Sequence, residues 1–490
     1  MKKRIYALAS ILTIAAILAG CGGGTSADTT GAADTTETTA PESTGYASSI
    51  EAKDFGGETI TFLTYKNEEV RNSTMDLAAD EQNGDVLNDA IFTRNMLVEE
   101  KFNVDLVHSE QKDAPTALKN AVLSGDGTYD VSLIQSLTNF QLGLKGNLHN
   151  MNDMAHIDLE KPWWNSKVAA DTEIFGVNYF YISDMNLDTW MQSYVVYFNK
   201  QLADEYKVEN LYDTVRDGKW TIAKLDEITR TVYTDLNGNT EYDENDLYGL
   251  SSCSICIDCF WASSGITFVG KNDAGELELT IGDGFYDAYE QISELLQAPE
   301  MLYTDRPQYT SKRDTYDRDA FKEDRALFFI EGLCIAEADL REMQTDFGIL
   351  PMPKYSEEQD TYITYSHSYH NSSISLPITL TGDRLDMVCM ILEDMAYFSM
   401  EHVRPAYYDK VLSGKIARDD DSVDMLEIIT QNVSYDLGFL VLGDNLLNMS
   451  GLRKAVSNAS PAASYIASKE TASNAALKKA MESVLDNKGE

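Results

Sequence analysis

The chain has 490 residues, 80 acidic against 39 basic, and a formal net charge of −41. That balance excludes nucleic-acid binding, which needs Lys and Arg to neutralise phosphates, and excludes lying flat on an anionic membrane. The length exceeds what one hydrophobic core fills, since single cores stop growing near ~250–300 residues, so two domains are expected.

The first element is an export signal over residues 1–20. Lys2, Lys3 and Arg4 precede an apolar run from Ile5 to Ile17, and Leu18-Ala19-Gly20-Cys21 follows. A basic start, a short apolar stretch and small residues at the cut describe a signal peptide. The run falls short of the about 20 residues that span a bilayer. Its ending resembles a bacterial lipobox, which implies a lipidated Cys21 as the mature N-terminus. From 21 to 50 the chain is mostly Gly, Thr, Ser, Ala and Asp without apolar periodicity. Such a stretch is a flexible tether, with a mean reach of roughly 30 Å. The expected location is the extracellular face of the cytoplasmic membrane, held by the lipid alone.

A β/α alternation opens the body. Thr59 to Tyr65 alternates apolar residues as a strand, and Asp85 to Lys101 sets Leu87, Ile91 and Val98 on one helical face. Val104 to Val107 is a short strand, Pro115 to Leu123 a helix with Pro in its first turn, and Tyr129 to Ile134 a buried strand. This order predicts a mostly parallel sheet covered by helices. Further on, Thr221 is placed to cap a helix through Leu225 and Ile228, with Trp220 as a packing residue before it. Leu385 to Phe398 is amphipathic, and Ser464 to Leu485 is helical.

Cys21 aside, five cysteines remain: Cys253, Cys256, Cys259, Cys334 and Cys389. An odd number cannot pair completely. The Cys253-x-x-Cys256-x-x-Cys259 run lacks the fourth thiolate of an iron–sulfur cluster and the fourth ligand of a zinc site, so buried thiols are expected.

Asp235 to Asp246 is a polar loop with two readings. Asp235, Asn237, Asn239, Asp243 and Asp246 fall at positions one, three, five, nine and twelve of a calcium loop, with Glu241 at position seven. Thr240 stands where such loops carry Gly, and Asp246 where they carry a longer Glu. The alternative is an Asn-Gly hairpin turn. No other cofactor is expected, and calcium would be structural.

Several stretches together carry a family likeness: Gly127 to Ile134, Tyr194 to Lys200, Phe321 to Phe328, Phe347 to Lys354 and Ile374 to Pro377 before the Leu385 helix. In order and spacing, with the lipobox and tether, they resemble the family 1 extracellular solute-binding proteins of bacterial ABC importers, the carbohydrate-type group of maltose-binding protein. The resemblance implies an α/β, two-lobed periplasmic-binding-protein fold of type II with a ligand cleft between hinged lobes. Lobe one would be 51–188 plus 373–405, lobe two 189–372, and 406–490 a helical segment packed across both. A small-molecule ligand, an ABC permease and the membrane through Cys21 would be the partners.

Candidate ligand residues follow from aromatic clustering and from this fold. All five tryptophans lie between 163 and 261, and sugars offer flat C–H faces to rings and hydroxyls to polar groups. Of Trp163 and Trp164, adjacent and so differently directed, one is expected to pack and the other to reach the cleft. Trp190 sits in the first expected crossing and Trp261 follows the cysteine run. Tyr65, Gln135 and Asn139 stand at or just beyond strand ends, where open α/β sheets bind ligands. Asp184 and His370 flank the crossings, and Arg341 is a further polar candidate, with a surface ion pair as its alternative.

The catalytic alternative finds no Gly-x-Ser-x-Gly elbow, His-Glu-x-x-His or phosphate loop; eighty carboxylates leave a glycosidase pair open. A surface glycan-binding or sensory lipoprotein without transport is the other alternative. The leading expectation is a binding protein, not an enzyme, that captures a mono- or oligosaccharide.

Overall fold

Glu58–Tyr65 buries both of its faces, as a strand with helices on either side must. Ile60 and Phe62 enter one core with Val98, Phe102 and Val388. Leu63 and Tyr65 enter another with Leu118 and Ile134. The computed structural model describes residues 45–66, 77, 79–305, 313–366, 371–412, 420–442 and 449–489. Cys21, the signal, most of the tether and His370 lie outside the described residues.

In lobe one, Glu58–Tyr65 pairs in parallel with Val104–Gln111 on one side and Val131–Gln135 on the other. Ser372–Ser375 returns antiparallel beside Val131–Gln135. The crossover helices have the ends their sequences encode. Asp85 caps Val86–Phe102 by accepting from the Leu87 and Asn88 N–H groups. Ala114–Ser124 carries Pro115 in its first turn and stops at Gly125, whose φ of 65° is left-handed, a conformation glycine adopts without steric cost.

Lobe two holds a second sheet in the order Phe347–Leu350, Tyr194–Asn199, Ala326–Gly332, Leu247–Ser252, Tyr233–Thr234, with Met301–Tyr303 also joined to Leu247–Ser252. Thr221 Oγ1 accepts the Lys224 N–H at 3.2 Å, capping Ile222–Thr229, and the buried Trp220 indole donates to the Pro351 carbonyl at 2.9 Å. The cysteine run lies mainly on the helix Ile255–Ser263, with Cys256 and Cys259 buried and no disulfide among the described residues.

The last helix, Ala462–Lys488, touches both lobes. The Leu277 N–H of lobe two meets Met481 Sδ at 3.1 Å, while Asn487 Nδ2 donates to the Gly143 carbonyl at 2.9 Å and to Tyr179 Oη at 3.0 Å in lobe one. Gly143 must stay glycine here, because a Cβ would lie 2.1 Å from the Tyr179 ring.

Two features depart from the sequence expectations. Residues 45–50, compositionally part of the tether, lie against lobe one. Ile50 packs on its core, Lys101 Nζ donates to Ser48 Oγ at 2.9 Å, and the Tyr46 ring stands edge-on to Trp163. Trp163 and Trp164 are both buried, and both indole N–H groups donate to one carboxylate. Trp163 reaches Glu393 Oε1 at 3.0 Å and Trp164 reaches Oε2 at 2.7 Å. Adjacent rings point apart, but a carboxylate has two oxygens and serves both. Burial raises the Glu393 carboxyl above its ordinary range, with the two indole bonds pulling against it.

Replacing Glu393 with Ala orphans two buried donors. Bonds to charged groups contribute ~1.5–3 kcal/mol each, so the variant is expected to lose about 3 kcal/mol in urea unfolding. A loss below about 1 kcal/mol would contradict the shared-carboxylate account.

Candidate functional site: the interlobe cleft

One strand of each sheet ends beside a chain crossing. In lobe one, Gln135 at the end of its strand stands beside Ser372. In lobe two, Gly332 stands beside Tyr194, and the Leu333 N–H donates to the Ser193 carbonyl at 2.9 Å. Ser372 and Ser193 are joined by one short turn, Leu187–Met191. Asp188 accepts the Ser372 N–H at 2.7 Å and its hydroxyl at 3.0 Å. The hydroxyls of Ser193 and Ser366 both donate to the Thr189 carbonyl at 2.8 Å, and Asn371 Nδ2 donates to Ser366 Oγ at 3.0 Å. These small side chains form the hinge, and the strand ends of the two sheets flank it.

In lobe one, Tyr65 and Gln135 stand at the carboxyl-terminal ends of their strands. The Tyr65 hydroxyl lies 3.5 Å and the Thr138 hydroxyl 3.2 Å from Gln135 Oε1. Burial raises the Tyr65 phenol above its usual value, so it stays a neutral donor and acceptor. On the lobe-two side the strand ends bring Ser252, Glu331 and the following loops together. Asp305 accepts the Ser254 N–H at 2.5 Å. Arg318 donates to Asp339 at 2.7 Å and stands 3.7 Å from Glu331. Burial pushes Asp317 up to about 6, and the Glu331 charge adds to the rise. Burial likewise lifts the Cys253 thiol well above its ordinary value, leaving it protonated and unreactive. The result is a set of phenol, amide, carboxylate and guanidinium groups able to hold hydroxyls in fixed directions.

The other predicted residues divide into three groups. Trp164, Asp184 and Trp190 come together in a pocket beside the hinge, with Arg404; Arg404 Nη1 lies 3.0 Å from Asp184 Oδ2. Asn139 is fully buried within lobe one, where its amide donates to Ser373 and accepts from Ser132. Trp163 is held by Glu393, Trp261 is stacked on Phe268 and edge-on to Phe285 in the lobe-two core, and Arg341 is exposed on the turn Leu340–Glu342. Residues the sequence reading did not select are Glu331, Arg318, Asp305 and Thr138. Only Glu331 carried a usable signal, as a charge closing the apolar run Ala326 to Ile330.

The Asp235–Asp246 loop closes on itself. Asp235 accepts the N–H groups of Gly238 at 2.6 Å and Thr240 at 2.8 Å, and Asp243 Oδ2 accepts both Asn237 and Asn239 amides at 2.9 and 2.7 Å. Asp246 accepts from the Leu236 N–H and the Tyr233 hydroxyl. The exposed Glu241 gives its backbone N–H to Asn239 Oδ1. Among the described residues no group of three or more His, Cys, Asp or Glu side chains is arranged to hold a metal ion.

No protein-family model matches the sequence, and no curated protein does. Solved structures match by shape. UgpB from Mycobacterium tuberculosis, in complex with glycerophosphocholine, aligns with 86% of this chain and 99% of its own at 14% identity and a TM-score of 0.54. A family 1 extracellular solute-binding protein from Bifidobacterium longum subsp. infantis aligns with 88% of this chain and 100% of its own at 12% identity, TM-score 0.52. RafE from Streptococcus pneumoniae, in its apo form, covers 90% of this chain and 99% of its own at 13% identity and the same TM-score of 0.52. The fold is the two-lobed type II periplasmic-binding-protein fold, as the resemblance implied.

Burial raises the Asp184 carboxyl from 3.8 to about 7, with Arg404 opposing. Between those values the folded chain keeps a proton that the unfolded chain has released. Stability from this group is therefore full below pH 3.8 and is lost as pH rises toward 7. Relative to Asp184→Asn, the native chain is expected to lose about 2–4 kcal/mol of unfolding free energy between about pH 4 and pH 8. A difference that stays constant across that range would contradict this assignment.

Proposed function

We propose that this chain is a lipid-anchored extracellular solute-binding protein that captures a small polar solute in the interlobe cleft and delivers it to an ABC permease. The observation that carries the reading is the convergence of two sheets' carboxyl-terminal strand ends on one hinge, because open α/β sheets bind ligands outside those ends. A solute touching Gln135 on one side and Glu331 on the other stabilises the closed form over the open one, and closure is the state a permease can distinguish. The solute of this reading is a mono- or oligosaccharide. Solved structures of this fold include a cyclo/maltodextrin-binding protein with maltotetraose, at a TM-score of 0.51, and the cleft offers phenol, amide and carboxylate partners for hydroxyls. Nothing in this role requires a catalytic group.

Anchoring at Cys21 and the extracellular location belong to the same proposal and rest on the leader sequence. We also propose a structural calcium ion in the Asp235–Asp246 loop. Its support is the spacing of Asp235, Asn237, Asn239, Asp243 and Asp246, with the Asn237 and Asn239 amides already turned onto Asp243; binding would require those amides to present oxygen instead.

A thermal-shift screen against saccharides, amino acids and short peptides tests both parts. One solute class should raise the melting temperature saturably, since a ligand at a hundred times its Kd adds about 2.7 kcal/mol, and Glu331→Gln should weaken that ligand about tenfold or more. Silence across the panel, or turnover of an oligosaccharide, would contradict the binding reading. Calcium should raise the melting temperature of the native chain and not of Asp235→Ala; no calcium response would remove the ion.

A further inference from the structure

Two buried carboxylates stand where the chain leaves lobe one, Asp184 and Asp188, and they are held differently. Asp188 is 1% exposed and accepts two directed bonds from Ser372, one from its N–H and one from its hydroxyl. Asp184 is 8% exposed. Arg404 Nη1 lies 3.0 Å from its Oδ2, yet among the described residues no donor is directed at that oxygen as a hydrogen bond. A carboxylate taken out of water needs directed donors to replace its lost hydration. Asp188 has them. A charge on Asp184 instead favours any arrangement that lets water reach it.

Such an arrangement is within reach, because the cavity over Asp184 has walls of different origin. Its volume is about 140 Å³, room for a few waters at about 30 Å³ each. Trp164 and Lys167 come from lobe one, Trp190 from the crossing, and Thr430 and Gln431 from the helix Asp420–Gln431. That helix packs on the lobe-two strand Phe347–Leu350 and is tied to lobe two where Arg216 reaches Asp424 at 2.8 Å. Just beyond its end, Ser434 Oγ donates to Asp171 of lobe one at 2.6 Å. The cavity therefore straddles the joint, and a change of interlobe angle moves Thr430 and Gln431 relative to Asp184.

Each element around Asp184 brings its own charges. The helix Arg404–Leu412 brings Arg404 and Tyr408, and the Tyr408 phenol is acted on by Arg404, by Asp184 and by Glu427 of the neighbouring helix. The helix Ser166–Thr172 brings Lys167, tied to Asp171 at 3.2 Å. Burial raises the Asp184 carboxyl to about 7 against the pull of Arg404. Below that value the group is neutral and Arg404 has no ionic partner in it; above it the buried carboxylate is charged. A joint angle that hydrates Asp184 brings its carboxyl back toward 3.8. That angle binds fewer protons, so by linkage rising pH favours it.

We propose that Asp184 makes the interlobe joint pH-responsive. Protonated, it keeps the angle at which the cavity is closed over it; ionised, it shifts the joint toward an angle that admits water. Where the cleft captures a solute as proposed above, solute affinity changes over the same pH range, because the two equilibria are linked. The response of the solute-free protein does not rest on that reading.

Fluorine NMR of the solute-free protein grown with 5-fluorotryptophan tests the proposal, in light and heavy water from about pH 5 to about pH 9. Small-angle X-ray scattering follows the same samples. The Trp164 and Trp190 signals are expected to move together with a midpoint near pH 7 and to gain a solvent isotope shift above it. Trp220 and Trp261 should show neither. The radius of gyration should change with the same midpoint. Asp184→Asn should hold both readouts at their acid values throughout. Arg404→Gln should raise the midpoint by about one pH unit or more, since a nearby opposite charge lowers a carboxyl by ~1–3 units. A fluorine transition that persists in Asp184→Asn overturns the proposal, as does a midpoint unmoved or lowered in Arg404→Gln. A radius that stays constant while the fluorine signals move overturns it too, because protonation would then leave the joint unchanged.

Discussion

The Asp188 carboxylate, almost wholly buried, holds both the N–H and the hydroxyl of Ser372. The two chain crossings between the lobes lie beside that contact. It fastens the turn Leu187–Met191, where the chain leaves lobe one, to the strand Ser372–Ser375, where it returns. A buried carboxylate is tolerated only with good hydrogen-bond partners, and serine supplies two from one residue. The neighbouring Ser193, Ser366 and Asn371 extend the network with side chains small enough to let two chain segments lie side by side. Beside these hydrogen bonds, one apolar cluster that includes Leu137, Phe140, Val168 and Phe180 of lobe one also holds Val195, Leu250 and Phe260 of lobe two.

Much of the fold was legible because local chemistry and tertiary structure agree in lobe one. Asp85 and Pro115 stand where helix ends need them, as Thr221 does in lobe two, and the opening β/α alternation admits few sheet topologies. The two-lobed fold was legible only through family likeness, since lobe two draws its strands from segments over a hundred residues apart. The Tyr194–Asn199 strand lies between Ala326–Gly332 and Phe347–Leu350, and nothing in its own sequence announces either neighbour.

The candidate site was less legible, for a physical reason. Aromatic residues mark both cores and sugar pockets, and composition cannot tell them apart. Trp261 entered the lobe-two core, Trp163 and Trp164 share Glu393 from a helix some 230 residues later, and Trp164 and Trp190 are among the residues that line a cavity. Asn139 looked like a ligand group because it follows a strand end, yet its amide bonds Ser373 and Ser132 within lobe one. Polar groups near the lobe-two strand ends, such as Arg318 and Glu331, come from a helix and a strand and meet only in the fold. Positions 45–50 read as tether by composition alone, but Ile50 and Tyr46 find apolar partners that a windowed reading cannot supply.

The central claim is that ligand held between the strand ends draws the lobes together about the serine hinge. Small-angle X-ray scattering of the protein, alone and saturated with the solute found by thermal shift, measures this directly. A smaller radius of gyration on saturation is the predicted result. An unchanged radius under saturating solute would contradict hinge closure as the signal of capture.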